Sequence, residues 1–185
     1  MPGRPAEAPN EFSRIVTPDR LGGPKVTESL AASPEECAAV ARRLGILAVD
    51  RLEAALTVKS LGAGLYRVDG SWEAEVQQAC VVTLEPVADS LSGRLEAAFQ
   101  ADDGVAARAA SGEVVVEPEG DDPAEVLSDK GIDLGELVVQ ELAVVLDPYP
   151  RAPGAEIPPA YRPAEDDEDR GPFAALKALK GDKLG

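Results

Sequence analysis

Hydrophobic and polar residues alternate along three consecutive segments of the chain, between about residues 48 and 100. In the middle segment one parity is mostly apolar, from Tyr66 through Trp72 to Cys80, and the other is polar. This period of two is typical of a strand with one buried and one solvent-exposed face. Gln78 is the polar residue that interrupts the apolar parity. The connections Gly62-Ala63-Gly64 and Glu85-Pro86 are short, so the three segments predict a meander of long antiparallel strands.

Two further segments have helical rather than alternating periodicity. The first follows Ser33-Pro34-Glu35-Glu36, an N-cap serine with a glutamate three residues later, and ends near Gly45. The second begins at Asp133, which with Glu136 predicts another capping box, and ends before Pro148. Its apolar residues recur at helical spacing: Leu134, Leu137, Val138, Leu142, Val145 and Leu146. Shorter strands are predicted at 11–17, 25–31 and 113–117, and a loop at 101–112.

These elements predict an α+β fold. We expect an antiparallel β meander, or a partly closed barrel-like sheet, covered by the two helices because a one-faced sheet needs a cover on its apolar side. Residues 1–10 are predicted to be a disordered N-terminus, and 11–150 a single α+β domain. Residues 151–170 are predicted to be a proline-rich acidic linker, and 171–185 a short amphipathic C-terminal helix.

The C-terminal tail supports that division. Seven of the 16 prolines lie in 148–172, which excludes a regular helix or a central strand there. After it, Phe173, Leu176 and Leu179 recur at helical spacing. A helix this short is marginal alone, so we expect it to dock on its own domain or on a partner.

Charge is distributed unevenly along the chain. The net charge is −16, but residues 113–147 hold 11 acids and one base, and 165–169 reads EDDED. The acidity therefore belongs to the second helix region and the tail, where it would attract a basic protein and repel nucleic acid or an anionic membrane. The tail run alone is more typical of a solvated linker than of the alternative, an acidic decoy for a basic partner.

Residue types exclude several kinds of chemistry. The chain has no histidine, so Ser-His-Asp and Cys-His catalysis and His-ligated metals are absent. Its 2 cysteines cannot complete a four-cysteine zinc site. The N-terminal MPGRPAEAPNEF has no apolar stretch typical of a signal peptide, and no apolar run is long enough to span a membrane. We expect a cytoplasmic protein with no metal and no cofactor.

Three groups of residues remain as candidates for chemistry or binding. Cys80 lies on the buried parity near a strand end, where packing explains a free cysteine better than nucleophilic catalysis. A carboxylate cluster could hold Mg²⁺, although acids also favour helix N-termini; its members are Asp121, Asp122, Glu125, Asp129 and Asp133. Arg42, Arg43 and Arg51 could contact RNA, or lie on a solvated helix face.

Three segments resemble the YceD family of large ribosomal RNA subunit accumulation proteins. They are CVVTLEPV at 80–87, IDLGELVVQELAVVLDPYPRAPGAE at 132–156, and the closing GPFAALKALK. The first is similar to a family motif Cys-x-x-Cys-Leu-x-Pro in which Thr83 replaces the second cysteine, so zinc binding at that motif is not expected. The second is similar to the family's Asp-Leu-(Gly/Ala)-Glu-Leu helix with its proline-bearing exit.

The resemblance implies a bacterial or organellar protein, acidic and cytoplasmic, that is needed for normal large-subunit ribosomal RNA levels. We expect a non-enzymatic factor in ribosome biogenesis that binds a ribosomal protein or assembly factor with a basic surface, with indirect or weak contact to pre-ribosomal RNA. The predicted contact residues are Cys80, Thr83, Glu85, Pro86, Asp133, Glu136, Gln140, Pro148 and Pro150. The competing hypotheses are a Mg²⁺-dependent RNA-processing hydrolase using the 121–136 carboxylates, and direct RNA contact through the three arginines.

Overall fold

The structure is a computed structural model, and it describes residues 10–101 and 124–161. The chain divides into two compact units, Met1–Ala152 and Pro153–Gly185. The first unit contains all the strands and α-helices described below. In the second unit, a 3-10 helix spans Pro159–Tyr161. The predicted domain boundaries at residues 10, 150 and 170 stay predictions, and the predicted C-terminal helix, the 113–117 strand and the 102–112 part of the loop lie outside the described residues.

An open five-stranded sheet forms the centre of the first unit. Its strands are β2 (Lys25–Ala31), β3 (Ala48–Gly62), β4 (Leu65–Ala79), β5 (Pro86–Gln100) and β6 (Glu125–Val126), in that spatial order. A second, two-stranded sheet pairs β1 (Ile15–Val16) with β7 (Ile132–Asp133) in antiparallel orientation. Within the described residues of this unit there are three α-helices: α1 (Pro18–Leu21), α2 (Pro34–Leu44) and α3 (Leu134–Val145).

The α+β class and the three long antiparallel strands are confirmed, but two parts of the predicted sheet are wrong. The last strand, β6, pairs parallel to β5, at Phe99↔Glu125 and Gln100↔Val126, so the sheet is mixed. A two-residue hairpin can join only antiparallel strands, so a parallel neighbour is not part of a simple meander. The sheet is not closed either, because β2 and β6 lie at opposite ends of the strand order. The partly closed barrel is therefore excluded.

The alternating pattern did identify the buried face of the long strands. Among the residues of that face, Val58, Val68, Trp72 and Leu95 are all buried. Gly93 lies opposite Trp72, and its missing side chain leaves room for the indole ring. Gln78, the polar interruption, is also buried, because its amide donates to the carbonyl oxygen of Asp147 over 2.9 Å. The carbonyl of Asp147, far along the chain, thus provides the hydrogen-bond acceptor that the buried amide of Gln78 needs.

The predicted first helix has the local structure that its sequence indicates. The Glu36 N–H donates to the Ser33 hydroxyl, and the Ser33 N–H donates to the Glu36 carboxylate, so the capping box is complete. The helix ends at Gly45, which adopts the left-handed conformation with a φ of 68°. Cys37, Val40 and Ala41 bury its apolar face in the core.

Three local predictions near the second helix need correction. The predicted strand at 11–17 is reduced to Ile15–Val16, because the Arg14 backbone N–H donates to the Asp133 carboxylate instead of to another strand. The second capping box is incomplete, since the Glu136 side chain pairs with Arg43 rather than with the N-cap. Val145, assigned to the apolar stripe, is exposed.

Candidate functional site

The chain between β4 and β5 forms a tight turn that holds the first family-like motif. The Leu84 N–H donates to the Cys80 carbonyl oxygen over 2.9 Å, and the Cys80 N–H donates to the Glu85 carbonyl oxygen over 2.9 Å. The Thr83 hydroxyl also accepts from the Glu85 N–H at 3.3 Å. Leu84 closes the turn with a φ of 62°, a conformation that favours glycine. The turn is therefore fixed by backbone hydrogen bonds at both ends.

The sulfur of Cys80 is the buried centre of this turn. It accepts hydrogen bonds from the N–H groups of Val82 and Thr83 at 3.4 Å and of Ala152 at 3.3 Å. These donors favour the thiolate, so they lower the pKa of Cys80 to about 6, with the Ala152 N–H contributing most. The side chain is nevertheless fully buried. The arrangement stabilises a charged sulfur and keeps it from solvent, which suits a structural role better than a nucleophile.

The proline-bearing exit of α3 lies beside the turn. The Val81 N–H donates to the Pro150 carbonyl oxygen over 2.9 Å, next to the bond from Ala152 to the sulfur. Pro150 is buried, whereas Pro148 is exposed. We call the surface formed by residues 80–86 and 147–152 the turn–exit surface. It brings together six of the nine predicted contact residues: Cys80, Thr83, Glu85, Pro86, Pro148 and Pro150.

Asp133 lies in a different part of the first unit, at the N-cap of α3. Its carboxylate accepts from the Gly135 and Glu136 N–H groups, as expected of an N-cap. It also accepts from the Arg14 N–H at 2.8 Å, the Ser13 hydroxyl at 2.7 Å and the Asn10 amide at 2.9 Å. Burial alone would raise the pKa of Asp133, but these hydrogen bonds together lower it. The carboxylate ties the N-terminal segment to α3.

Glu136 has an equally internal role. Arg43 donates to both of its carboxylate oxygens, at 2.7 and 2.6 Å, and this bidentate pair joins α2 to α3. The bond from Arg43 is the main reason that the pKa of Glu136 is lowered. Gln140 donates to the same carboxylate at 3.1 Å. Asp133, Glu136 and Gln140 line a cavity of about 600 Å³, whose other walls include Ser13 and Lys130.

The structure thus separates the predicted contact residues into two groups. None of the residues that line the cavity belongs to the turn–exit surface. In the cavity, the carboxylates of Asp133 and Glu136 accept hydrogen bonds from the chain itself. The turn–exit surface instead presents side chains to solvent. The predicted contact residues did not include two exposed large apolar side chains of this surface, Leu84 and Tyr149, which are 76% and 72% exposed. Both residues lie within the family-like segments, and Leu84 is the leucine of the first motif, but the sequence does not show that their side chains face solvent.

The structure also bears on the two alternative sites. Arg43 pairs with Glu136 and Glu11, and Arg51 pairs with Glu53 and Glu75, so two of the three candidate RNA-binding arginines face carboxylates. Asp121 and Asp122 lie outside the described residues. Within residues 10–101 and 124–161, no three Cys, Asp or Glu side chains form a group that could hold a metal ion. In the same ranges no helix is long and apolar enough to cross a membrane.

The fold and the turn–exit surface define an α+β protein whose two family-like motifs meet through hydrogen bonds. Comparison with known families identifies it. Residues 68–180 match the family model described as large ribosomal RNA subunit accumulation protein YceD, and the chain belongs to that family. The matched region contains both motifs of the turn–exit surface. No curated protein and no solved structure matches the chain.

Proposed function

We propose that this protein supports the accumulation of large-subunit ribosomal RNA by binding a basic ribosomal protein or assembly factor, and that it does so without catalysing a reaction. The family description supports the ribosomal role. The observation that carries the binding mechanism is the convergence of residues 80–86 and 147–152 on one hydrogen-bonded surface. A rigid, exposed surface is suited to recognition because little conformational freedom is lost on binding.

Charge supports a basic partner. The stretches 79–89 and 141–152 carry four acids, Glu85, Asp89, Glu141 and Asp147, against the single base Arg151. A surface of this sign accelerates encounter with a cationic protein and repels phosphate. Binding in solution should therefore weaken as salt is added.

Local chemistry supports contact rather than catalysis. Cys80 is fully buried, so substrate would not reach its sulfur. Asp133, one of the carboxylates of the hydrolase hypothesis, already accepts five hydrogen bonds from its own chain. A metal ligand at this position would have to give up bonds that hold α3 to the N-terminal segment.

Depletion of the protein in its own cells tests the role. We expect large-subunit ribosomal RNA to fall while small-subunit ribosomal RNA stays constant, with rescue by the wild-type gene. Equal loss of both, or no change, would contradict the proposal. The basic partner should copurify at low salt and be lost at high salt, and salt-independent recovery of the same proteins would exclude the electrostatic mechanism.

Two measurements on the purified protein test the alternatives. Cleavage of pre-ribosomal RNA by wild-type protein in Mg²⁺ or Mn²⁺, abolished by Asp129→Asn, would establish the hydrolase instead. A gel shift with the same RNA at physiological salt, lost in Arg42→Ala, would establish direct RNA contact. We expect neither cleavage nor a shift.

A further inference from the structure

Three apolar side chains on the turn–exit surface face solvent. Leu84 and Tyr149 are 76% and 72% exposed, and Val81 is 45% exposed. They lie on two segments that the Val81–Pro150 hydrogen bond holds side by side. We call them the apolar ridge. A group of exposed apolar side chains on a fixed backbone is characteristic of an interaction site.

The conformation of Leu84 indicates that its side chain has a use outside the folded chain. Its φ of 62° lies in the left-handed region, which a glycine or asparagine adopts more readily than a leucine. The side chain also gains nothing from burial, because most of it is in water. Neither the turn nor the core accounts for a leucine here, and strained backbone positions of this kind cluster at binding sites.

The turn is anchored well enough to hold that conformation. The Leu84 N–H bonds to the Cys80 carbonyl oxygen, and the Cys80 sulfur accepts the N–H groups of Val82, Thr83 and Ala152. These bonds connect the turn to the exit of α3. The ridge is consequently preorganised, which reduces the entropy lost when a partner binds.

From this geometry we infer that the apolar ridge is the docking point for a basic polypeptide that inserts an aliphatic or aromatic side chain between lysines or arginines. The inference rests on the proposed function and specifies its contact. The apolar anchor would pack on Leu84 and Tyr149, and the cations would face Glu85 and Asp147. The four acids against one base in the flanking stretches favour a cationic polypeptide over RNA or a second copy of this acidic chain.

The test uses the full-length protein and, as probes, the individual proteins purified from large ribosomal subunits and freed of RNA. Each is screened for binding at low salt, and the dissociation constant of the tightest is measured for wild type and variants. Leu84→Gly should raise this dissociation constant by about tenfold or more, as expected of a hot-spot side chain. Tyr149→Ser should act similarly. Leu84→Gly fits the observed φ, so the turn should stay folded, which circular dichroism and Trp72 fluorescence verify.

Leu61→Ala is the matched control, because Leu61 is a 56% exposed leucine on β3, away from the ridge. It should bind like wild type. Glu85→Gln combined with Glu141→Gln should weaken binding and reduce its dependence on salt. Wild-type affinity in Leu84→Gly and Tyr149→Ser, or no binding by any large-subunit protein, would overturn the inference.

The other occupants give distinct results. A dimer seen by analytical ultracentrifugation and lost in Leu84→Gly would assign the ridge to a second copy. Binding of protein-free ribosomal RNA by the wild type, lost in Tyr149→Ser, would assign the ridge to RNA. Either of these two results would overturn the inference that a basic polypeptide binds the ridge. If depletion lowers large-subunit ribosomal RNA and the Leu84→Gly gene rescues it fully, the ridge inference fails while the proposed function stands. If depletion has no effect, the proposed function fails.

Discussion

The backbone N–H of Ala152 donates a hydrogen bond to the sulfur of Cys80 over 3.3 Å, although the two residues are 72 positions apart. This bond is the largest contribution to the lowered pKa of the thiol. It therefore couples the protonation state of one side chain to the position of the α3 exit. A proton added to the sulfur weakens the bond that holds the two motif segments together.

Stability should consequently depend on pH through Cys80. A pKa lowered in the folded state, from 9.0 to about 6, adds stability that is complete above pH 9 and lost as pH falls toward 6. The difference in unfolding free energy between wild type and Cys80→Ala should widen from pH 6 to pH 9. Urea denaturation at several pH values, followed by Trp72 fluorescence, measures it. Cys37→Ala is the control, because burial raises the pKa of that thiol. If its difference in unfolding free energy from wild type also widened from pH 6 to pH 9, the pH dependence could not be attributed to Cys80.

Asp133→Asn should destabilise the protein by about 2–4 kcal/mol, since an amide cannot accept all the donors that converge on the carboxylate. The pKa of Asp133 is lowered from 3.8, so its contribution to stability is present above about pH 4 and lost in acid. The difference between variant and wild type should shrink as pH falls below that range. Asp129 is an exposed acid that lines the same cavity, and Asp129→Asn should leave the free energy of unfolding unchanged.

The Arg43–Glu136 pair should couple α2 to α3. Their side chains are 34% and 18% exposed, and the contact is bidentate. A double-mutant cycle with Arg43→Met and Glu136→Gln should give a coupling free energy of about 1 kcal/mol that decreases with salt. The cycle for Lys59 and Asp69, a more exposed pair on the sheet, should give less. Equal coupling free energies in the two cycles would mean that the bidentate contact gives no more stability than an exposed ion pair.

Gly93→Ala should destabilise the sheet by about 1–3 kcal/mol. A Cβ at position 93 would lie 2.9 Å from the indole nitrogen of Trp72, and the buried ring has little room to move. Because Trp72 is the single tryptophan, its fluorescence reports the disturbance directly. Ser92→Ala, one position away on the exposed face, should leave both stability and fluorescence unchanged.

Features that depend on neighbours in sequence were predictable. The alternating pattern located β3, β4 and β5 and their buried face, because side chains point to opposite sides of a strand at every step. Ser33 and Glu36 form the expected capping box, since both partners lie within one turn. The contact residues that the family resemblance suggested, among them Cys80 and Pro150, stay a prediction.

The same reasoning failed where a distant group competes for a side chain. Asp133 and Glu136 have the spacing of a capping box. However, the Glu136 carboxylate pairs with Arg43, which lies 93 residues away in the sequence. The strand expected at 11–17 is shorter because the Asp133 carboxylate accepts the backbone N–H of Arg14. β6 pairs parallel to β5, and no local sequence pattern distinguishes a parallel from an antiparallel neighbour.

By itself, therefore, the sequence determined the α+β class, the long strands with their buried face, the two main helices and the acidic character of the C-terminal half. Tertiary structure alone decided which of the candidate residues form a surface. The Cys80 turn meets the α3 exit, Leu84 takes a positive φ, and the Asp133 group is used internally. The physical reason is that strand and helix periodicity are local properties, whereas each of these outcomes depends on which donor, acceptor or charge is brought close from far along the chain.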